Sequence, residues 1–325
     1  MKTMIINKVS AWTKGIVPFC LLAAMPLLDS CKSGDPDFPN FDYQTTYFAK
    51  QYPVRTVELG NDEYVDLSLD NQHKIQIQAA MGGAYNNPQD INISIAVDQS
   101  LCTGMTFADG TDVTPMPSNY YTLASNNITI PEGQVTGGVE VFLTDAFFAD
   151  PLSTKLHYVI PVKMTGATGV DHILEGKDFV LYAVKYVNRY HAQYILNNNY
   201  QDIVSVTTKD LNTALYVYGA KDAKGKKHNC EMELTFAADG TCTIAPSAAA
   251  AAAGFTATGT GRFVEADGSQ LLGARHPDTM YLTFHVTYSD HSDNDPAEWV
   301  DVDVSESQVL MVQTRGIKSE LFIQQ

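Results

Sequence analysis

Apolar and polar residues alternate with period two along most of this chain, and no sustained helical period interrupts them. That pattern limits the fold more than any other feature. It recurs at residues 64–69 (YVDLSL), 74–79 (KIQIQA), 91–97 (INISIAV), 128–130, 139–143, 158–164 and 179–186. Alternation buries one face of a strand and wets the other, as antiparallel sheets require. Turn-forming clusters separate the segments: Gly82 and Gly83, Asn86 to Pro88, Asp109 and Gly110, Pro131 to Gly133, Asp150 and Pro151. About seven short strands over residues 43–188 predict an immunoglobulin-like β-sandwich.

The pattern pauses at Asn188 and Arg189 and restarts. Strands are expected at 194–196, 203–207 and 214–218. A hairpin is expected from 231–236, a turn at 237–240, and 241–244. Further strands are expected at 259–264, 280–288 and 308–314. Consecutive hairpins predict a second domain over residues 189–325, an antiparallel β-barrel or a sandwich. The fold class is therefore all-β. The alanine run at 248–253 fits either a helical turn or a small-residue loop.

The N-terminus reads as a targeting segment. Lys2, Lys8 and Lys14 precede an apolar stretch at 15–28 that is too short to span a bilayer. Leu28-Asp29-Ser30-Cys31 follows as a lipobox, with Cys31 the residue to be lipidated, although Asp29 departs from the usual small residue at −2. Residues 1–30 are then a lipoprotein signal peptide, and 31–42, rich in Pro, Gly and Asp, a tether. The fold is then expected in an extracytoplasmic aqueous space, with the lipid anchor as the sole membrane contact. Removing residues 1–30 leaves 18 basic against 36 acidic residues. Such a charge repels nucleic acid and anionic headgroups and suits neutral ligands or cations. Beyond Cys31 the cysteines are Cys102, Cys230 and Cys242, an odd number that argues for buried thiols over a disulfide framework.

Several segments together resemble one family. They are 97–101 (VDQSL), 117–123 (PSNYYTL), 129–133 (TIPEG), 158–162 (YVIPV), 184–188 (VKYVN), 259–263 (GTGRF) and 310–316 (LMVQTRG). In order and spacing the chain resembles Bacteroidetes surface lipoproteins encoded in glycan-utilisation loci. These pair an N-terminal immunoglobulin-like domain of unknown function with a C-terminal β-rich, lipocalin-like domain. Asp35 and Asp37 partly match the acidic stretch that follows the lipid cysteine in such proteins, and the resemblance implies a lipid-anchored place in the outer membrane, exposed at the cell surface. The resemblance implies glycan capture beside an outer-membrane glycan importer and its binding lipoprotein, and it supplies no catalytic residues.

One acidic run invites a catalytic reading. Asp290, Asp293, Asp295 and Glu298 nearly spell D-x-x-D-x-D-x-E, a chitinase-like motif. Glu298 falls one residue late, which on a strand turns it to the opposite face. The motif also belongs in a barrel of about 250 residues, and only 27 residues follow Glu298. The plainer expectation is a turn rich in Asp and Asn. A calcium site from Asp290, Asp293 and Asp295 is the second, since Ca²⁺ prefers clustered oxygens. Histidine spacing, nucleophile-elbow and P-loop patterns supply no other enzyme signature, so the chain is read as non-catalytic and without a required cofactor.

Aromatic residues beside polar ones are the better lead, because sugar C–H faces pack on rings while hydroxyls need amide and carboxylate partners. Trp299 with Asp293, Asn294 and Asp295 is the first candidate platform. Tyr85 beside Asn86 and Asn87, and Tyr120 with Tyr121, are others, although tyrosines at strand ends commonly fill cores. The expected function is glycan binding or an accessory role in glycan uptake. A structural or adhesive, fimbria-like surface protein is the alternative, and a glycan hydrolase with a dispersed site the second.

Overall fold

The computed structural model describes residues 43–318 together with Glu320 and Phe322. Cys31, the signal peptide and the tether lie outside these residues.

Eleven strands build the first half: β1 Thr45–Tyr47, β2 Val54–Glu58, β3 Lys74–Gly82, β4 Ile91–Val97, β5 Thr114–Pro115, β6 Tyr121–Leu123, β7 Asn127–Ile130, β8 Thr136–Leu143, β9 Tyr158–Thr168, β10 His172–Ile173 and β11 Phe179–Val187. One sheet runs β10-β1-β3-β8-β6; the other runs β2-β11-β9-β4-β7, with β5 on β9. Inward residues of the two sheets, among them Ile77, Ile93, Val141, Ile160 and Val184, meet in one core. This is the expected β-sandwich. Each such fully buried side chain contributes about 1.5–3 kcal/mol.

One expected strand is absent. Residues 64–69 form a turn leading into the short helix α1, Ser68–Asn71. The carboxylate of Asp62 accepts from the Tyr64 and Val65 N–H groups, and that of Asp66 from the Ser68 N–H. Local side-chain capping of this kind competes with strand pairing, and Tyr64 is left exposed.

The second half is a closed barrel, which decides between the two architectures expected for it. Its strands are β12 Ala192–Leu196, β13 Asn199–Thr208, β14 Thr213–Lys221, β15 Lys227–Phe236, β16 Thr241–Pro246, β17 Thr256–Val264, β18 Thr279–Asp290 and β19 Val300–Thr314. Each pairs with the next, and β19 returns to β12. Closure removes most of the free edge of an open sheet. The alternation decides what faces in: Met232, Leu234, Ile244, Leu282, Phe284 and Leu310 fill the interior, whereas Thr235, Thr243, Thr260 and Thr283 face water. This apolar-in, polar-out arrangement is the inverse of a membrane-spanning barrel. Among the described residues no helix is long and apolar enough to cross a membrane.

Aromatic residues plug both ends. Tyr190 stacks on Phe236 at the lower end, ring centroids 3.6 Å apart, and Phe255 stacks on Tyr288 at the upper end at 4.4 Å. The alanine run is a helical turn, α3 Ala248–Ala252, capped by the Ser247 hydroxyl, with Ala250 buried. The wall has one irregularity. Strand β12 reaches only as far as Leu196, opposite Leu310, so Val300–Gln308 of β19 pairs with β18 alone. Tyr216 and Tyr218 of β14 reach across that gap to Gln308 (2.7 Å) and Glu306 (3.3 Å). Cys102, Cys230 and Cys242 are buried free thiols.

The lower end of the barrel is fastened to the sandwich. Arg315, just past β19 and 4% exposed, donates from Nη1 to the Arg189 carbonyl (2.7 Å) and from Nη2 to those of Leu59 (2.8 Å) and Asn188 (2.9 Å). Asn188 is fully buried and holds the carbonyls of Asp210 and Thr213 through Nδ2. Gly60 sits against Arg189 at φ +102°, where a Cβ would stand 2.7 Å from that of Arg189. Only glycine fits both the angle and the approach.

Candidate functional site

The hairpin between β18 and β19 rises at the upper end of the barrel and carries residues 291–299, all exposed. Its shape is set by successive Asx turns. The carboxylates of Asp290, Asp293 and Asp295 each accept from the N–H two residues on, of Ser292, Asp295 and Ala297. Asp295 thereby caps a 3₁₀ turn, Pro296–Glu298, which delivers Trp299 back to the start of β19.

Trp299 is 41% exposed, although large apolar side chains are ordinarily buried. Its indole Nε1 donates to the Asp293 carbonyl (2.9 Å), and its ring lies nearly flat on His291, centroids 4.3 Å apart at 16°. The imidazole Nε2 of His291 lies 2.9 Å from an Asp301 carboxylate oxygen, which also accepts from the Ser289 hydroxyl. Those two hydrogen bonds hold the Asp301 carboxyl below the usual carboxylate range. Lys224, from the β14–β15 turn, ties the loop down by pairing with Glu298 at 3.3 Å. The loop therefore presents a braced two-ring stack ringed by carboxylate and amide groups. Stacked rings can hold the C–H face of a sugar while neighbouring oxygens accept its hydroxyl protons.

The structure carries Trp299 on one loop with Asp293, Asn294 and Asp295, its indole bonded to the Asp293 carbonyl. It adds His291, Asp301 and Lys224, which sequence reasoning missed. The alternation within β19 already turned Asp301 outward and was the one available signal; the reach of Lys224 from another hairpin had none. The calcium geometry expected of Asp290, Asp293 and Asp295 is not formed. Each carboxylate closes its own turn, and among the described residues no group of three His, Cys, Asp or Glu side chains is placed to hold a metal ion.

The tyrosine candidates stand elsewhere. Tyr85 is 63% exposed on the turn after β3, at the far end of the sandwich from the barrel, so it shares no surface with Trp299. Its neighbour Asn87 is buried and clamps the carbonyls of Pro131 and Gln134. Tyr120 packs edge-on against Phe147 and Tyr158, and its hydroxyl donates to Asp150 at 3.0 Å. Tyr121 is half-buried against the sandwich core, and that burial pushes its phenol pKa up. Both rings stand at the start of β6 and pack against the sandwich core, Tyr120 on Phe147 of the short helix α2, Asp145–Ala149.

A cleft of about 380 Å³ lies at the junction, between the 61–64 turn and the lower loops of the barrel. Arg275 and Glu63 bridge it at 3.1 Å.

A crystal structure of a protein of unknown function from Bacteroides ovatus is 35% identical to this chain, with a TM-score of 0.77, covering 88% of this chain and 99% of the other. The chain belongs to that protein's family. Within this family, residues 41–171 match a family model described only as an N-terminal domain, and residues 167–316 match a domain of unknown function, DUF5627. A second Bacteroides ovatus structure of unknown function is 16% identical, with a TM-score of 0.43, covering 86% of this chain and 98% of the other. A multidomain Bacteroides ovatus protein including DUF1735 is also 16% identical, with a TM-score of 0.42 and coverage of 86% and 98%. At those scores the last two likenesses carry no argument about this chain. No curated protein matches it.

Proposed function

We propose that this family member is a non-catalytic glycan-binding protein held at the cell surface by a lipid on Cys31, serving glycan capture beside an outer-membrane importer. The observation that carries the reading is the exposed Trp299–His291 stack, braced by Asp301 and edged by Asp293, Asn294 and Asp295. A rigid, half-exposed ring pair loses little conformational entropy on binding, and the surrounding oxygens suit hydroxyls. The formal charge of −16 favours a neutral glycan over an acidic one.

The test is affinity electrophoresis of the full-length protein in gels containing barley β-glucan, galactomannan, yeast α-mannan or polygalacturonate. Retardation by a neutral polysaccharide, weakened at least tenfold by Trp299→Ala, is expected. No retardation by any of the four would sink the glycan reading. Release of reducing sugar would overturn the non-catalytic part. Cys31→Ser is expected to abolish palmitate incorporation and membrane retention.

A further inference from the structure

The outer wall of the barrel below Trp299 carries a second feature. Cross-strand pairing sets Thr235 opposite Thr243, Thr243 opposite Thr260, Thr260 opposite Thr283 and Thr283 opposite Ser307. Five hydroxyls from five successive strands thus form one row, at a strand spacing of about 4.8 Å. Four of them line a groove of about 540 Å³. Gly261 is part of its lining, and Gly259 and Gly261, two inward positions of β17, lie tightly against β18. A Cβ on Gly261 would meet the Tyr281 carbonyl oxygen at 2.5 Å and Leu282 at 2.7 Å, and one on Gly259 would meet the Thr283 oxygen at 2.4 Å.

Arg262 and Tyr281 form the rim. The guanidinium lies over the phenol ring, 4.8 Å from its centroid. The ring is immobilised by its hydroxyl, which donates to Asp267 (2.6 Å) and accepts from Gln270 Nε2 (3.1 Å). Among the described residues the Arg262 guanidinium has no hydrogen-bond acceptor, although its charge acts on Asp267, so its N–H groups are open to ligand oxygens.

From this rim the outward side chains of β18 climb to the Trp299 loop in a line of polar groups. Thr283 bonds Ser307 (3.1 Å), His285 bonds Asp303 (2.7 Å), Thr287 bonds Thr256 (2.6 Å) and Ser289 bonds Asp301 (2.9 Å), the carboxylate that braces His291. Tyr281 to Ser289 spans about 27 Å of extended strand, roughly five or six pyranose units.

We propose that the outer face of β15–β19 is one continuous track for a single neutral polysaccharide chain, from the groove at Arg262 and Tyr281 to the ring stack at Trp299. This rests on the glycan reading above and specifies its ligand as an extended polymer rather than a short oligosaccharide. Aromatic groups stand at both ends with hydroxyls between them. Asp301, Asp303 and the acidic loop exclude a polyanion from the upper half.

The test uses the full-length protein and defined oligosaccharides, two to eight units long, of whichever polysaccharide retards it. Calorimetric affinity is expected to rise at least tenfold between trimer and hexamer. Thr260→Glu, an exposed change in the groove floor, and Trp299→Ala, at the other end, are each expected to lower hexamer affinity at least tenfold with unchanged thermal unfolding. If trimer and hexamer bind alike, or if Thr260→Glu binds the hexamer as wild type does while Trp299→Ala does not, the track is wrong and the Trp299 platform stands alone. Failure of the wild-type protein to bind any of the polysaccharides would instead overturn the glycan reading itself.

Discussion

At the lower end of the barrel, a buried arginine gives its Nη hydrogens to backbone carbonyls, and a buried asparagine gives its amide the same way. At the upper end, an indole lies open to water on an imidazole, beside the exposed carboxylates of Asp293 and Asp295, which accept only from the N–H groups of their own turns. Both ends close the same barrel, and both are rich in polar atoms. The difference is burial. A buried polar group has no water to turn to, and leaving it unpaired costs about 1–3 kcal/mol. The two Nη atoms of Arg315 are paired within the protein, and its Nε alone is left without a partner. An exposed polar group has water as its default partner and can exchange it for a ligand. The junction is therefore read as architecture and the upper loop as a binding surface.

The strongest way to break this comparison is at Arg315. Arg315→Met would leave the carbonyls of Leu59, Asn188 and Arg189 without their donor, at an expected cost of about 3–5 kcal/mol. Urea denaturation should show a lower midpoint, and the barrel and sandwich should cease to unfold together. A loss below about 1 kcal/mol would mean that the junction is not what holds the halves together.

A pH dependence sharpens the same contrast. Burial, reinforced by the charges of Arg315 and Lys185, holds the His191 imidazole well down, at about 4. Its Nδ1 accepts from the Thr208 N–H. In the unfolded chain His191 protonates near pH 6.5, whereas in the folded protein it stays neutral until about pH 4. The unfolded state thus binds more protons between those values. The stability that His191 confers is complete above pH 6.5 and is lost as pH falls toward 4, by at most about 3 kcal/mol. His191→Gln should flatten that part of the stability–pH curve, measured by chemical denaturation at pH 7.5, 5.5 and 4.5. An unchanged slope would contradict the buried neutral imidazole.

The smallest stability effect is expected at the upper end. Trp299→Ala and Lys224→Met should each shift stability by no more than about 0.5 kcal/mol, since both residues are exposed and the ion pair is solvated. A thermal shift of Trp299→Ala comparable to that of Arg315→Met would show that the loop is structural and remove the basis for reading it as a site.

The fold was largely legible because period two is a local property that survives into the tertiary structure. Residues 91–97, 231–236 and 280–288 alternate in the sequence and alternate in burial. Residues 64–69 alternate too, yet Asp62 and Asp66 capture the backbone N–H groups that a neighbouring strand would have needed. Val54–Glu58 carries a weaker pattern, with Val57 and Glu58 buried in succession, and pairs in parallel with β11, so its place depended on a distant partner. The site was half legible. Trp299 and its aspartates are neighbours in the chain. The exposed row Thr235, Thr243, Thr260, Thr283 and Ser307 draws on five strands and exists only through their register.

The sequence by itself determined that this is an all-β chain in two parts, with Trp299 set among acids on a turn, because strand periodicity and turn chemistry act over a few residues. Only the tertiary structure decided that the second part closes into a barrel, that Tyr120 and Tyr121 serve the core, and that Arg262 and a row of hydroxyls share a groove. Closure, register and burial are relations between residues tens of positions apart, set by which strands pair, and no short window of the chain contains them.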